Sequence, residues 1–537
     1  MNAPLTLWIS TSHGEHRVEA HAGQSVRDAL DATALRVRAA CGGTGSCGAC
    51  VIHLLAGEAN PPTLAEYQKL GADERAQGLR LACQLRAGSD LKLFLDDPAP
   101  PSRWRSIPDE DLAPPPPAQR ALQAHVFGVA VDLGTTHIRV AFWDRHAGRR
   151  IATRRGPNPQ AFAGADVLNR LAAAEASPRR AAELAKLART AIVDAVRDVL
   201  KRDVGSVSPM LAEIGRVLVV GNTAMLALLA GRGGAALLDP DHWQEAVDCT
   251  PPDPAGWHAQ WFMPNADIVL APPVAGFVGS DLLADLIATG LTAGPPGSLL
   301  LDFGTNTEIA LWDGRRLHVT SVPGGPAFEG VGIRHGMSAE PGAIHRVRDA
   351  AGALVFETIA EAPPHGYCGS GFVDAIAMLC GRAALKTSGA FAQAPGPAGY
   401  ALDPALPCSA ITAGDVDAFQ RAKAATAAGM EALLRLAGLG WGDLRRLCIC
   451  GTFGHRLDVA NAARVGLLPD LPRECIELHA DAGLAGCERA LLAPDVPAAF
   501  ARAGAGLEAH NLSLVPDYDD LYIAHLRLRP IRTLSPA

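Results

Sequence analysis

Three cysteines, Cys41, Cys47 and Cys50, share the stretch CGGTGSCGAC, and Cys83 follows in RLACQL. Three thiols in C-x5-C-x2-C order with one distant partner lie one residue from the C-x4-C-x2-C spacing by which plant-type ferredoxins hold a 2Fe-2S cluster. Gly42, Gly43, Gly45 and Gly48 fill the gaps between them. A loop that wraps a cluster must turn tightly and aim backbone N–H groups at sulfur, and glycine permits both. A zinc site is the competing use of four thiols, but zinc favours two paired Cys-x2-Cys units. Clusters of this type sit near about −400 mV and act as one-electron donors.

A second set of residues suits phosphate. The sequence DLGTT at 132–136 recurs as DFGTN at 302–306. In such hairpins the backbone N–H groups and polar side chains of Gly134, Thr135 and Thr136, and of Gly304, Thr305 and Asn306, can cradle phosphate oxygens. Asp132 and Asp302 can hold Mg²⁺ through water, and Glu308 can orient water or metal. A lone Asp-x-Gly-Thr also closes ordinary hairpins, whereas two in matched contexts point to a polyphosphate clamp. Gly221-Asn222-Thr223, with Gly324-Gly325 and the residues on to Gly330, Cys368-Gly369-Ser370-Gly371 and the stretch from Gly451 to Gly454, read as walls of the same site, with plain turns as the alternative for each. The chain contains no GxxxxGK[ST] motif, which argues against a P-loop.

Elements must position these groups. Leu5, Leu7, Ile9 and Val18 alternate as in a hairpin, and a short helix is expected near 25–32, so 1–97 reads as a small α+β unit. Prolines crowd 98–125, which reads as a stiff extended linker. From 126 the pattern is α/β, with a helix expected over about 178–201. GVAVDLGTTHIRVAFWD returns as SLLLDFGTNTEIALWDG with a single-residue gap. A repeat of that length fits two similar subdomains, 126–296 and 297–537, facing a common cleft.

The bulk composition narrows the class. The net charge of −8 and the lack of a long basic run argue against a nucleic-acid binder, and no apolar stretch is long enough to span a membrane. The N-terminus lacks the charged-then-apolar order of a secretory signal, so a cytoplasmic setting is expected. There, cysteines ligate metals or are buried rather than forming disulfides. Cys448 and Cys450 alternate as in a buried strand, and Cys368 stands out only for its glycine neighbours. The Ala-rich 418–436 stretch reads as a packing helix that would also suit a homodimer face.

Together these residues resemble the reductive activators of corrinoid proteins, which join a 2Fe-2S ferredoxin domain to an ATPase domain like that of actin, sugar kinases and heat-shock chaperones. The likeness runs through CGGTGSCGAC, NPQAFAGADVLNR at 158–170, VGNTAM, PVAGFVGSD, LDFGTNTEI, GPAFEG, GYCGSGFVDA and GTFGHRLD. It implies a β-grasp ferredoxin-like domain followed by a duplicated, ribonuclease H-like actin fold. It also implies that Cys41, Cys47, Cys50 and Cys83 hold the cluster, and that the two hairpins and Glu308 contact phosphate and magnesium. The implied activity is ATP-dependent transfer of one electron from the cluster to a Co(II) corrinoid, regenerating the Co(I) that accepts methyl groups. The implied partners are a corrinoid protein of a methyltransferase system and an upstream low-potential electron donor. His137 departs from the pattern, standing where a further hydroxyl is usual. The alternatives are an ATP-driven electron donor to another acceptor such as a dehydratase, a small-molecule kinase fused to a ferredoxin, and a nucleotide-sensing scaffold without turnover.

Overall fold

In the computed structural model the described residues are 4–12, 14–38, 41, 43–99, 102–117, 125–164, 166–200, 208–330, 332–350 and 352–531, without the side chains at 325, 326 and 452. Gly42 and linker residues 100, 101 and 118–124 lie outside them.

The N-terminal alternation folds as a hairpin, Leu5–Thr11 with Gly14–Ala20, which buries Leu7, Ile9 and Val18. Leu91–Phe94 adds in parallel to the first strand, and Val51–Ala56 and Leu79–Leu81 complete a five-stranded sheet. One helix, Val26–Asp31, packs on it, started by Ser25, whose hydroxyl accepts from the Asp28 N–H. A mixed sheet gripping one helix is the expected β-grasp arrangement.

The two repeats build sheets of the same plan. In the first, Phe127–Leu133, His137–Asp144 and Arg149–Pro157 run antiparallel, and Ile214–Gly221 and then Asp267–Leu270 join in parallel on the other side. In the second, Ser298–Phe303, Thr307–Trp312 and Leu317–Val322 form the antiparallel part, and Arg446–Cys450 and Ile476–Leu478 the parallel part. The single-residue gap falls in the turn: Leu133 pairs with Ile138, but Phe303 pairs with Thr307. This shared order is the actin-like, ribonuclease H-like duplication that the family resemblance implied.

The chain forms two compact units whose boundaries interleave in sequence. The first contains 1–238, 248–272 and 487–496, and the second 239–247, 273–486 and 497–537. In the first unit, Glu488 from the returning segment is buried, accepts from Trp143 Nε1 at 2.8 Å and pairs with Arg150.

Over its described residues, which include the 3-10 turn Asp109–Asp111, the proline-rich segment is not a free spacer. Arg105 and Arg155 exchange backbone hydrogen bonds, the Ser106 N–H donates to the Asp31 carbonyl, and Trp104 and Ile107 are buried. Trp104 packs against Gly156, where a Cβ would stand 2.4 Å from its ring. Pro98–Ala99 pairs with Arg36–Val37. The apolar content of Trp104 and Ile107 overrides the spacer tendency of the prolines and straps the ferredoxin module to the first repeat.

The long helices form where periodicity placed them, Pro178–Leu200 in the first unit and Ala413–Leu436 in the second. Phe419, Ala425, Met430 and Leu433 of the latter lie in the core of the second unit, so its small-residue face serves internal packing. No helix among the described residues is long and apolar enough to cross a membrane.

Candidate cluster and nucleotide sites

The four cysteines converge. The loop that carries the first three turns through Gly43, Gly45 and Gly48 at φ of +102°, +85° and +70°, a region closed to most side chains. Cys83 arrives from just beyond the strand Leu79–Leu81. Cys41, Cys50 and Cys83 are buried and Cys47 is half-buried. Sulfur-to-sulfur hydrogen bonding with Cys47 pulls the Cys41 thiol down to about 3. The Cys50 and Cys83 pair likewise holds Cys83 low and pushes Cys50 up. Donors point at the sulfurs as well: the Ala49 N–H reaches Cys47 Sγ at 3.5 Å, and Gln84 Nε2 reaches Cys83 Sγ at 3.4 Å and the Gly43 carbonyl at 3.2 Å. Four gathered thiols, a glycine-turned loop and N–H donors to sulfur fit an iron–sulfur cluster.

The hairpin of the first repeat is closed by the Gly134 N–H donating to the His137 carbonyl at 3.0 Å. Asp132, buried on the neighbouring strand, receives Arg139 Nη1 at 2.9 Å. Three residues from elsewhere hold the turn: Asn222 Nδ2 donates to Thr135 Oγ1 at 3.0 Å, Asn158 Nδ2 to the Gly134 carbonyl at 2.9 Å, and Arg170 Nη1 to the Thr135 carbonyl at 2.7 Å. The Asn158 N–H also reaches the Thr136 carbonyl. Asn222 caps the helix Thr223–Ala230, and Gly221 before it permits close approach, because a Cβ there would stand 2.6 Å from the Leu133 carbonyl. Burial, with Arg139 and Arg155 nearby, pushes His137 down to about 3, so its imidazole is neutral. Sequence reasoning grouped Gly134, Thr135, Thr136, Gly221, Asn222 and Thr223; Asn222 and Gly221 lie against the turn, and Thr223 is the first residue of the helix that Asn222 caps. That reasoning missed Asn158 and Arg170 as site residues, although both lie in the 158–170 motif.

In the second repeat the Gly304 N–H donates to the Asn306 carbonyl at 2.9 Å, and Thr305 Oγ1 to Glu329 at 3.2 Å. Asp302 pairs across the hairpin with Glu308, at the register position that Arg139 occupies opposite Asp132 in the first repeat. Burial, then the negative charges of Asp281 and Asp302, push the Glu308 carboxyl well up, while Ser321 donates to it at 3.2 Å. The repeats have thus diverged electrostatically: the first hairpin sets a cation against its aspartate, and the second gathers three carboxyls, a donor set suited to a hard divalent cation and its waters. Asp281, in the first turn of the helix Ser280–Thr289, was not singled out in the sequence.

Gly451 lies against the second hairpin. Its φ is +83°, and a Cβ there would lie 2.9 Å from Asp302 Oδ1 and 2.6 Å from the Phe303 carbonyl. Gly324 lies against Thr307 and Thr426, and Gly325 begins the short helix Gly325–Phe328. A Cβ on Gly454 would meet Ile449 at 2.6 Å and Phe303 at 3.4 Å. Cys448 and Cys450 are core thiols, as their alternation indicated. Cys368 is buried beside the Ile344 carbonyl.

Comparison with known proteins agrees with this modular reading. Residues 10–88 match the 2Fe-2S iron-sulfur cluster binding domain, 127–294 the RACo middle region, and 297–535 the C-terminal domain of RACo, the ASKHA domain. The chain is 30% identical over 382 residues to the corrinoid activation enzyme RamQ of Eubacterium limosum, an alignment covering 64% of this chain and 61% of that one. It is 26% identical over 388 residues to the [Co(II) methylated amine-specific corrinoid protein] reductase of Methanosarcina barkeri, covering 66% and 67%. Among solved structures it superposes on a reductive activator for corrinoid, iron-sulfur protein with a TM-score of 0.65 at 25% identity, over 98% of both chains.

Proposed function

Since this chain belongs to the RACo family of reductive activators of corrinoid proteins, we propose that it restores an inactive corrinoid protein by passing one electron from a 2Fe-2S cluster to Co(II), at the expense of ATP. The observation that carries this reading is the presence in one chain of four converging thiols and two Asp-x-Gly-Thr hairpins of matched topology. When bound, the cluster supplies a single low-potential electron, loaded from an upstream donor. Cys41, Cys47, Cys50 and Cys83 hold it, while Ala49 and Gln84 donate to the sulfurs.

In this reading the N–H groups of Gly134, Thr135 and Thr136, and of Gly304, Thr305 and Asn306, take the phosphates. Asp302, Glu308 and Asp281 would hold Mg²⁺ through water, and the charge of the ion would offset the burial and the neighbouring carboxylates that push the Glu308 carboxyl up. Asp132, with Arg139, completes the polar lining of the first hairpin. ATP is needed because Co(I) corrinoids are very strong reductants, so the electron travels uphill. A coupling free energy of about 1 to 3 kcal/mol corresponds to roughly 40 to 130 mV for one electron. Docking that changes the axial ligation of cobalt supplies a further shift.

Asp302→Asn tests the assignment of the hairpin. The variant should keep the visible spectrum of the cluster and lose ATP-stimulated cobalt reduction by about 10- to 100-fold, the usual scale for losing a metal-positioning carboxylate. Undiminished ATP-stimulated turnover would remove Asp302 from the site.

A further inference from the structure

The helix beneath the cysteine loop carries a buried cation. Arg27, on Val26–Asp31, has no more than 1% of its surface exposed, and its three nitrogens point in three directions. Nε lies 3.6 Å from Asp31 Oδ2 on the same helix. Nη2 donates at 2.7 Å to the carbonyl of Val199, in the last turn of Pro178–Leu200 of the first repeat. Nη1 faces the cysteine loop: a Cβ placed on Gly43 would stand 2.7 Å from Nη1 and 3.9 Å from Cys83 Cβ, so guanidinium and cysteine lie within the sum of those distances. Arg27 is also electrostatically coupled to the Cys83 and Cys50 thiols.

The setting fixes this charge. The final carbonyls of a helix lack intrahelical donors and sit at the negative end of its dipole, which suits an arginine. Around Arg27 runs an ion-pair network across the seam of the ferredoxin module and the first repeat. Arg36 and Arg154 both bind Asp198, and Arg154 also binds Asp31 at 2.7 Å. Asp28, hydrogen-bonded to Ser25, is a further carboxylate near Arg27.

We propose that Arg27 is a fixed positive charge, anchored at the ferredoxin–ATPase seam, that raises the reduction potential of the cluster held by Cys41, Cys47, Cys50 and Cys83. One added electron makes an already anionic thiolate cluster more negative, and a cation held nearby in a water-poor setting stabilises that reduced form. A cluster poised in this way is easier to load from a donor and harder to discharge into a low-potential acceptor, which shifts the required driving force onto the nucleotide. The inference rests on the cluster reading alone and not on the identity of the acceptor.

The test is an anaerobic spectroelectrochemical titration of the full-length protein, following the visible absorption of the cluster. In Arg27→Gln the ratio of reduced to oxidised cluster at a fixed potential should fall about tenfold, a negative displacement of about 59 mV, while Arg27→Lys stays within about threefold of wild type. Asp31→Asn, which removes the balancing anion, should move the ratio the opposite way, a reversal that general loosening of the module would not produce. Arg27→Gln with an intact spectrum and a ratio within about threefold of wild type overturns the proposal, as does a shift of both variants in one direction. If Arg27→Gln fails to retain a cluster, Asp31→Asn decides: a rise supports the proposal, and no rise overturns it. A wild-type chain that shows no visible absorption after iron and sulfide reconstitution would defeat the cluster reading instead.

Discussion

At the scale of single residues, Glu308 shows most clearly how environment assigns chemistry. Burial and the charges of Asp281 and Asp302 raise its pKa above the ordinary 4.5, so the folded chain keeps a proton that the unfolded chain releases. Above that ordinary pKa the unfolded state gains by ionising, and this carboxyl costs stability increasingly as pH rises until the folded group ionises too. Glu308→Gln removes the effect. Its unfolding free energy relative to wild type should therefore grow with pH above 4.5, by up to about 1.4 kcal/mol per unit, in denaturant melts of the nucleotide-free and magnesium-free protein. A difference that stays flat between about pH 5 and pH 7 would show that Glu308 is already ionised in the folded state.

At the scale of elements, the hairpins depend on neighbours that cap and clamp them. Asn222 does two jobs: its Oδ1 accepts from the Met225 N–H to start the helix Thr223–Ala230, and its Nδ2 donates to Thr135. Asn222→Ala loses both, and stability should fall by about 1 to 2 kcal/mol, with weaker nucleotide binding. Asn222→Asp keeps the cap but has no side-chain N–H, so it should regain stability in thermal melts without regaining affinity in calorimetry. Recovery of both would show that the Thr135 contact is not used.

Much of this was legible in the sequence, because the signals were local. Cys41, Cys47 and Cys50 lie within one loop, and the repeat announced itself through apolar runs flanking Asp-x-Gly-Thr, down to the one-residue gap that the turn absorbs. What escaped arrives from a distance. Asn158 and Arg170 reach the first turn only because Arg149–Pro157 pairs beside it and the following helix folds back, and Asp281 reaches Glu308 only through tertiary packing. Composition misled at the linker, where proline content suggested a spacer but Trp104 and Ile107 had an apolar surface to bury.

At the scale of the whole molecule, the ferredoxin module and the first repeat belong to one compact unit, joined by the strap and by the buried Arg27, Asp31, Arg36, Arg154 and Asp198 network. Removing one member of such a network strands the others: Asp198→Ala leaves Arg36 and Arg154 poorly compensated and should cost about 3 to 5 kcal/mol. In denaturant, cluster absorbance and tryptophan fluorescence of this unit should be lost together in wild type, whereas in Asp198→Ala the cluster signal should be lost first. The central claim is that this redox module and the nucleotide hairpins work as one machine on a corrinoid protein. Its most direct test mixes the reduced full-length protein anaerobically with a Co(II) corrinoid protein of a methyltransferase system and follows the cobalt spectrum with and without ATP and magnesium. The account predicts that Co(I) forms only when both reduced cluster and ATP are present, and Co(I) appearing equally well without ATP would contradict it.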